Sequence, residues 1–184
     1  MIYSLLDWDL LKKNGVTIEQ FIKKANELNS PILQYRDKNS SFEDVKERLL
    51  KIRKIWDKTL IINDYVELVE FCDGVHIGQE DLLKYKTIKE VRKIIGFKML
   101  GLSTHNREEI LEANRMDLDY IGLGAYRVTT TKEVTSIGGK NLIELSKLSI
   151  HDVAIIGGVK ISDRFPTKYK VIGSDIINLI KKDG

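Results

Sequence analysis

The chain reads Leu100-Gly-Leu-Ser-Thr-His-Asn106 and, after a helix-like run, Asp119-Tyr-Ile-Gly-Leu-Gly124 and then Thr129-Thr-Thr-Lys132. Two short apolar runs, each typical of a buried strand, thus end in small, hydroxylated or charged residues. A parallel barrel keeps its chemistry at the carboxyl ends of its strands, which is where these residues would lie. Several hydroxyl groups and one lysine, without an obvious acid–base pair, favour a site that binds phosphate.

Apolar strands alternate with amphipathic helices outward from this stretch along the whole chain. Such alternation predicts an α/β fold with a parallel sheet, which stays open with five or six units and closes into a barrel with eight. We count eight strand-like runs and therefore predict a compact (β/α)8 TIM barrel. The runs are residues 2–6, 31–35, 60–62, 74–77, 99–102, 120–123, 153–156 and 171–172.

Local signals mark where some of the helices begin and where one is reduced. Thr17-Ile-Glu-Gln20, and Thr87 with Glu90, are capping-box sequences that predict helix starts. The segment 158–170 contains Pro166 and is too short for a full helix. We therefore predict a shortened seventh βα unit.

Composition indicates one globular domain, residues 1–184, with 42% hydrophobic residues. Thirty basic and 27 acidic residues give a net charge of +3, which is too balanced to indicate a nucleic-acid partner. The lone Cys72 excludes an internal disulfide and is typical of a reducing compartment. Asp7 and Asp9 interrupt the first apolar run, and no run reaches the roughly 20 residues of a membrane span, so we expect a cytoplasmic protein.

A candidate anion clamp follows the second strand, in Gln34-Tyr-Arg-Asp-Lys38. Alternation along a strand turns Gln34 and Arg36 to one face, here the inside of the barrel, and Lys38 follows at the rim. The arginine fork matches phosphate oxygens, so these three side chains are predicted to bind phosphate.

Acidic residues follow the next two strands, in Asn63-Asp64 and in Gly78-Gln-Glu-Asp81. Each carboxylate alone would more often cap a helix than bind a metal. Together, on neighbouring strands beside an anion clamp, Asp64 and Asp81 favour a metal site. Oxygen ligands without cysteine or paired histidine favour Mg²⁺, which commonly completes its shell with water and substrate phosphate.

Hydroxyl groups and glycines follow the remaining strands. Ser103-Thr-His105 and Thr129-Thr-Thr-Lys132 offer donors that suit a leaving pyrophosphate. Gly157-Gly158 and Gly173-Ser174 follow strands seven and eight, where barrels commonly bind phosphate through backbone N–H groups. His105 has no Ser–carboxylate partner nearby in sequence, so a hydrolytic triad is not predicted.

Seven motifs follow one another along nearly the whole chain: Leu33-Gln-Tyr-Arg-Asp-Lys38, Ile61-Ile-Asn-Asp64, Asp73-Gly-Val-His-Ile-Gly-Gln-Glu-Asp81, Gly101-Leu-Ser-Thr-His105, Asp119-Tyr-Ile-Gly-Leu-Gly124, Thr129 to Lys132, and Ile156-Gly-Gly158. In these motifs and in their order, the chain resembles the thiamine phosphate synthase family.

The resemblance implies a (β/α)8 transferase that joins hydroxymethylpyrimidine diphosphate to a thiazole phosphate with Mg²⁺, releasing pyrophosphate. It implies a role for each matching residue. By this resemblance, the pyrimidine diphosphate would be bound by Gln34, Arg36, Lys38 and Asn63, and Mg²⁺ would be bound by Asp64 and Asp81. The catalytic residues would be Ser103 and Lys132, which would bind the leaving pyrophosphate. The thiazole phosphate would be bound by Thr129, Thr131, Gly157 and Gly158.

Two departures from the family pattern fall on the thiazole phosphate side. Gly173 stands where the family has a phosphate-contacting serine, with Ser174 as the candidate substitute. Tyr126-Arg-Val replaces an apolar-aromatic-proline turn, and Arg127 is expected still to reach phosphate.

Two other functions stay open at this stage. A thiazole tautomerase, a close relative of the synthase, needs no metal and uses a histidine after the fifth strand, where His105 stands. A non-catalytic regulator that binds a phosphate ligand is the other. The expected partners are phosphorylated small molecules and a second copy of the chain in a homodimer, with neither nucleic acid nor membrane.

Overall fold

The computed structural model describes residues 1–127 and 138–183, in which eight parallel strands close into a barrel in chain order. The predicted (β/α)8 TIM barrel is therefore confirmed. The strands are β1 Ile2–Asp7, β2 Ile32–Arg36, β3 Thr59–Asn63, β4 Gly74–Ile77, β5 Met99–Thr104, β6 Tyr120–Leu123, β7 Asp152–Ile155 and β8 Tyr169–Ile172.

Helices cover the outside of the barrel. They are α1 Trp8–Asn14, α2 Ile18–Glu27, α3 Phe42–Ile55, a 3₁₀ helix Val66–Phe71, α4 Gln79–Tyr85, α5 Ile88–Ile95, α6 Arg107–Ala113, α7 Asn141–Ser146 and α8 Ser174–Asp183. Within the described residues, none of them combines the length and the apolar character that a membrane crossing requires.

The capping box predicted at Thr17 is present at the start of α2. The Thr17 hydroxyl accepts from the Gln20 N–H at 3.2 Å, and the Gln20 side chain accepts from the Thr17 N–H at 2.8 Å. Two helices, α1 and α4, were not predicted. Each has only seven residues, so an apolar stripe has little room to repeat.

The seventh unit is short, as predicted. Between β7 and β8 the chain forms turns and bends without a helix, all of it within the described residues. Lys170, on β8, donates from its ammonium to the carbonyl oxygens of Ile161 and Asp163, the latter at 3.0 Å. The lysine therefore ties the connection to the barrel in place of a helix.

Two apolar layers stabilise the fold. The larger lies between the barrel and its helices and includes the buried inner face of α3, which is formed by Val45, Leu49 and Ile52. The smaller fills the barrel itself, where Tyr3 and Tyr120 pack with Tyr169 and with aliphatic side chains. The carboxyl ends of the strands are left for polar residues.

Candidate active site

A pocket of about 960 Å³, including its open mouth, lies at the carboxyl ends of the strands. Eleven of the residues singled out from the sequence line it, although they come from five different strand ends. They are Gln34, Arg36, Lys38, Asn63, Asp64, Ser103, His105, Gly157, Gly158, Gly173 and Ser174.

Four predicted site residues do not line the described pocket. Asp81 is close to the pocket residue Asp64 but is not part of the lining. Thr129, Thr131 and Lys132 lie outside the described residues, so their places in the site stay predictions.

The β2–β3 wall is held by buried polar contacts. The Gln34 amide donates to the Asn63 side-chain oxygen at 2.8 Å, which fixes both side chains. The Arg36 guanidinium pairs with Asp7, whose other carboxylate oxygen accepts from the Leu10 N–H at 2.9 Å and caps α1. Asp7 was not predicted as a site residue, although it lies directly opposite Arg36 in the β1–β2 register.

Lys38 lies on the acidic side of the pocket. Its ammonium is 2.9 Å from the Asp64 carboxylate and 3.5 Å from that of Glu80. Asp64 itself has φ of +67°, a left-handed conformation that aspartate and asparagine tolerate better than most residues. This conformation ends β3 and leaves the Asp64 side chain at the pocket wall.

Asp64 and Asp81 bring two carboxylates together, as the sequence predicted. Burial, followed by repulsion from the neighbouring Asp64, raises the pKa of Asp81 to about 6. Asp81 also accepts from the Gly78 N–H at 2.8 Å, so it helps to cap α4. Asp64 makes no cap, because the 3₁₀ helix that follows has Tyr65 at its N-cap without a side-chain bond.

These side chains fit a hard divalent cation. The two donors are carboxylates, and a cation between them would offset the repulsion between their like charges. Among the described residues no group of three or more His, Cys, Asp or Glu could hold a metal. Mg²⁺ commonly uses one or two carboxylates and takes its other ligands from water and phosphate, and two carboxylates are what Asp64 and Asp81 offer.

Ser103 contacts a histidine that the sequence reasoning missed. The His76 Nε2 atom lies 2.9 Å from the Ser103 hydroxyl oxygen, and the Gln79 amide donates to the Ser103 carbonyl at 2.6 Å. The period-two alternation of β4 was the available signal, because it turns His76 into the barrel.

Within the described residues, His105 has a carboxylate partner but no serine partner. Its Nδ1 atom lies 2.9 Å from the Glu109 carboxylate, which also accepts from the His105 backbone N–H at 2.8 Å. Glu109 lies one helical turn later, and its carboxylate binds both groups at the start of α6. Because the Ser103 hydroxyl is bonded to His76, these contacts do not form a Ser–His–Glu triad.

The β7–β8 side of the pocket is built from backbone. Gly157 and Gly158 have φ of +92° and +60°, and a Cβ atom on Gly157 would lie 2.6 Å from that of Ala125. Gly173 precedes Ser174, the first residue of α8, so backbone N–H groups and the positive end of a ten-residue helix face this region.

Arg127 does not point to a phosphate site. Its guanidinium donates to both carboxylate oxygens of Asp163, at 2.6 and 2.9 Å, and to the Gly158 carbonyl at 3.0 Å. This pairing lowers the pKa of Asp163 to about 2. The expected phosphate contact is therefore replaced by an ion pair that braces the short β7–β8 connection.

Comparison with known proteins gives one consistent family. The family model of thiamine monophosphate synthase matches residues 11–166. The thiamine-phosphate synthase of Persephonella marina is 36% identical over 165 residues, covering 86% of this chain and 76% of that protein. The enzyme of the same name from Clostridium beijerinckii is 34% identical over 186 residues, covering 97% and 85%.

Solved structures agree at the level of the fold. The thiamine phosphate pyrophosphorylase from Pyrococcus furiosus superposes with a TM-score of 0.78 at 20% identity, covering 99% of this chain and 95% of that one. A tryptophan synthase alpha-subunit from the same organism reaches 0.69 at 11% identity, covering 100% and 91%. Identities this low show a shared barrel and nothing about the reaction.

Proposed function

The chain belongs to the thiamine monophosphate synthase family, and from that membership we propose that it is a thiamine-phosphate synthase. This enzyme is a transferase that joins hydroxymethylpyrimidine diphosphate and thiazole phosphate into thiamine phosphate and pyrophosphate. The observation that carries the proposal is the carboxylate pair of Asp64 and Asp81 beside the cationic side chains of Arg36 and Lys38.

Four side chains at the carboxyl ends of β2 and β3 are proposed to bind the pyrimidine diphosphate. Arg36 and Lys38 bring positive charge to the pocket, and each is held in place by a carboxylate. Gln34 and Asn63 bond one another and keep further donor capacity for a heterocycle or a phosphate. Their fixed geometry supports binding without reorganisation of the wall.

Asp64 and Asp81 are proposed to hold Mg²⁺ on the diphosphate. The bound ion would neutralise negative charge on the departing group. The Lys38 ammonium lies 2.9 Å from the Asp64 carboxylate, where it offsets part of the negative charge of Asp64 and Asp81. Binding of the diphosphate would give that ammonium a further anionic partner beside Asp64 and Glu80.

In the proposed reaction the C–O bond to the diphosphate breaks, and its electron pair leaves with pyrophosphate. The aminopyrimidine stabilises the resulting methylene cation, and the thiazole nitrogen donates the electron pair of the new C–N bond. No strong base is needed, so the protein acts chiefly by stabilising the leaving group. We assign that role to the Ser103 hydroxyl and the Lys132 ammonium.

The thiazole phosphate is proposed to bind at the β7–β8 end. Gly157 and Gly158 allow the backbone to approach an anion closely, and the start of α8 at Ser174 adds a favourable dipole. Gly173 removes a side chain there, so Ser174 supplies the nearest hydroxyl. Thr129 and Thr131 are proposed to complete this subsite.

One observation favours the thiazole tautomerase as a second candidate. His105 lines the pocket and is oriented by Glu109 at 2.9 Å, an arrangement suited to proton transfer. An isomerase without a diphosphate substrate has no use for the Asp64–Asp81 pair or for Mg²⁺. The synthase therefore explains more of the pocket.

The deciding experiment incubates the purified protein with both substrates and Mg²⁺, with and without EDTA, and measures thiamine phosphate. We expect product that depends on Mg²⁺. Product that survives removal of the metal contradicts the metal assignment, whereas thiazole isomerisation without product moves the assignment to the tautomerase. The homodimer and the cytoplasmic location stay predictions, tested by light scattering and by cell fractionation.

A further inference from the structure

A chain of hydrogen bonds runs from the pocket into the interior of the barrel. The Ser103 hydroxyl lies 2.9 Å from His76 Nε2, and His76 Nδ1 lies 3.0 Å from the Tyr120 hydroxyl. The Tyr120 hydroxyl in turn lies 2.8 Å from that of Tyr3. Four side chains from β1, β4, β5 and β6 are thus connected, and none but Ser103 is among the residues predicted to bind substrate.

Two glycines make this chain possible. The strand registers place Gly101 between His76 and Tyr120, and a Cβ atom there would lie 2.2 Å from the Tyr120 ring. Gly122 lies opposite Ser103, and its Cβ atom would lie 3.0 Å from His76 Cε1. The two rings therefore occupy space that the neighbouring strands leave open.

The buried end of the chain determines the direction in which its protons point. Tyr3 is fully buried, and among residues 1–127 and 138–183 its hydroxyl has Tyr120 as its one hydrogen-bond partner. If Tyr3 accepted from Tyr120, its own proton would have no acceptor, and a buried unsatisfied donor costs about 1–3 kcal/mol. Tyr3 therefore donates to Tyr120.

The directions of the two hydrogen bonds between Tyr120 and the pocket follow from the same rule. The Tyr120 hydroxyl accepts from Tyr3, and the other partner that it has within residues 1–127 and 138–183 is His76 Nδ1, so it donates its proton to that nitrogen. The imidazole consequently carries its hydrogen on Nε2 and donates it to the Ser103 oxygen. Ser103 is left with a hydroxyl proton that is free to point into the pocket.

We propose that Tyr3, Tyr120 and His76 are positioning residues that orient the Ser103 hydroxyl as a hydrogen-bond donor to an anionic phosphate group in the pocket. That the anion is the leaving pyrophosphate rests on the proposed function. Burial raises the pKa of both Tyr3 and Tyr120, so each phenol keeps the proton that it donates. Ser103 is accordingly a donor and not a general base.

The direction of the chain can be measured without substrate. The protein has three histidines, and the ¹⁵N spectrum of the uniformly labelled protein distinguishes a protonated from an unprotonated ring nitrogen. His76 is assigned by comparison with His76→Gln. We expect a neutral ring with hydrogen on Nε2, and a hydrogen on Nδ1 overturns the proposal.

The consequence for Ser103 is tested by removing both phenol hydroxyls together. Tyr3→Phe/Tyr120→Phe orphans neither phenol and removes the donor that fixes the His76 tautomer, and thermal unfolding checks that the fold is retained. We expect kcat to fall by about threefold to tenfold, with both KM values changed by less than about twofold, since a misdirected donor weakens transition-state binding. The matched control is Tyr169→Phe, which removes one hydroxyl from the same ring cluster but none from the chain.

The Ser103→Ala background separates a positioning role from a structural one. There the two phenylalanines should have no further effect on kcat, and an equal loss in both backgrounds overturns the proposal. If the protein makes no thiamine phosphate, affinity for Mg²⁺ and inorganic pyrophosphate replaces kcat as the readout. The double variant should then bind about threefold to tenfold more weakly, and unchanged affinity overturns the proposal.

Discussion

The two sides of the pocket mouth are built from different materials. The β2–β4 side consists of charged and amide side chains, with Arg36 paired to Asp7 and Lys38 paired to Asp64. The β7–β8 side consists of backbone, with Gly157 and Gly158 at positive φ and the start of α8 behind them. One side presents side-chain charge, and the other presents N–H groups and a helix dipole.

This difference predicts which substitutions impair ligand binding on each side of the pocket. The side-chain half depends on the balance of charge, because each cation already has an anionic partner that a ligand must join or replace. The backbone half depends on conformation and space, because a Cβ atom or a changed φ closes it without altering any charge. Charge substitutions should therefore impair one half and added Cβ atoms the other.

The largest effect is expected at Lys132, which the sequence assigns to the leaving pyrophosphate. Lys132→Ala should lower kcat by on the order of a hundredfold or more, because the variant lacks the charged donor that we propose for the leaving group. KM for the pyrimidine diphosphate should change much less, since in the proposed mechanism Arg36, Lys38 and Mg²⁺ would still bind it. Steady-state kinetics measure both values.

Two further lysine variants sharpen the Lys132 prediction. Lys132→Arg should recover activity only in part, because a planar fork replaces a compact charge. Lys140→Ala, at an exposed position, is the control and should behave as the unsubstituted protein. An unchanged kcat in Lys132→Ala would place that lysine on the surface and leave pyrophosphate departure to the metal.

Much of the fold and much of the site follow from local sequence patterns. The bounds of β4 and β6 agree with the predicted runs to the residue, because short buried strands between turns are distinct in the sequence. The polar residues at strand ends come together because parallel strands end at one face of a barrel. That single geometric rule placed Gln34, Asn63 and Ser103 in one pocket.

What the sequence did not predict depends on contacts between distant positions. Asp7 meets Arg36 across 29 residues, and His76 meets Ser103 across 27, so each pair requires the register of neighbouring strands. Helix α1 begins directly after β1, with Asp7 both ending the strand and capping the helix, so no loop signal separates the two. Period and composition contain no information on register.

The second prediction tests the charged half at Asp64. Asparagine removes the carboxylate but tolerates the positive φ, whereas alanine would add backbone strain. Asp64→Asn should lower kcat/KM by on the order of a hundredfold at low Mg²⁺, with partial recovery at high Mg²⁺. Activity measured across a Mg²⁺ titration checks this.

The exposed Asp57, which lies outside the pocket, provides the control for Asp64. Asp57→Asn should leave the Mg²⁺ dependence unchanged. A normal Mg²⁺ titration for Asp64→Asn would show that the carboxylate pair does not bind the metal.

The third prediction tests the backbone half at Gly157. Gly157→Ala should raise KM for thiazole phosphate by on the order of tenfold and leave KM for the pyrimidine diphosphate near its original value. The added Cβ atom would displace Ala125 and change the backbone that we propose to bind the thiazole phosphate. Kinetics with each substrate varied in turn measure the asymmetry.

Gly15→Ala separates backbone strain from the loss of the anion site. Gly15 also has positive φ, +64°, but lies away from the pocket with no atom within 4 Å of its added Cβ. Both variants should lose about 1–2 kcal/mol of stability from the left-handed conformation, while only Gly157→Ala changes the kinetics. Equal changes in both KM values for Gly157→Ala would contradict the division of the pocket into two halves.

The smallest effect concerns the ion pair that braces the backbone half. Asp163 has a pKa of about 2 in the folded chain, below its usual value of 3.8, so protons bind the unfolded state more readily. The Arg127–Asp163 pair therefore stabilises the fold above about pH 4, and this contribution is lost as the pH falls through about 2. The Arg127 side chain is 41% exposed, so solvent screening limits the effect to about 1 kcal/mol.

Asp163→Asn should accordingly lower the free energy of unfolding at pH 7 but not at pH 2, as urea titrations at the two pH values would measure. A loss of the same size at both would mean that Asp163 acts through the hydrogen bond that its carboxylate accepts from the Lys160 N–H, at 2.8 Å, and not through its charge.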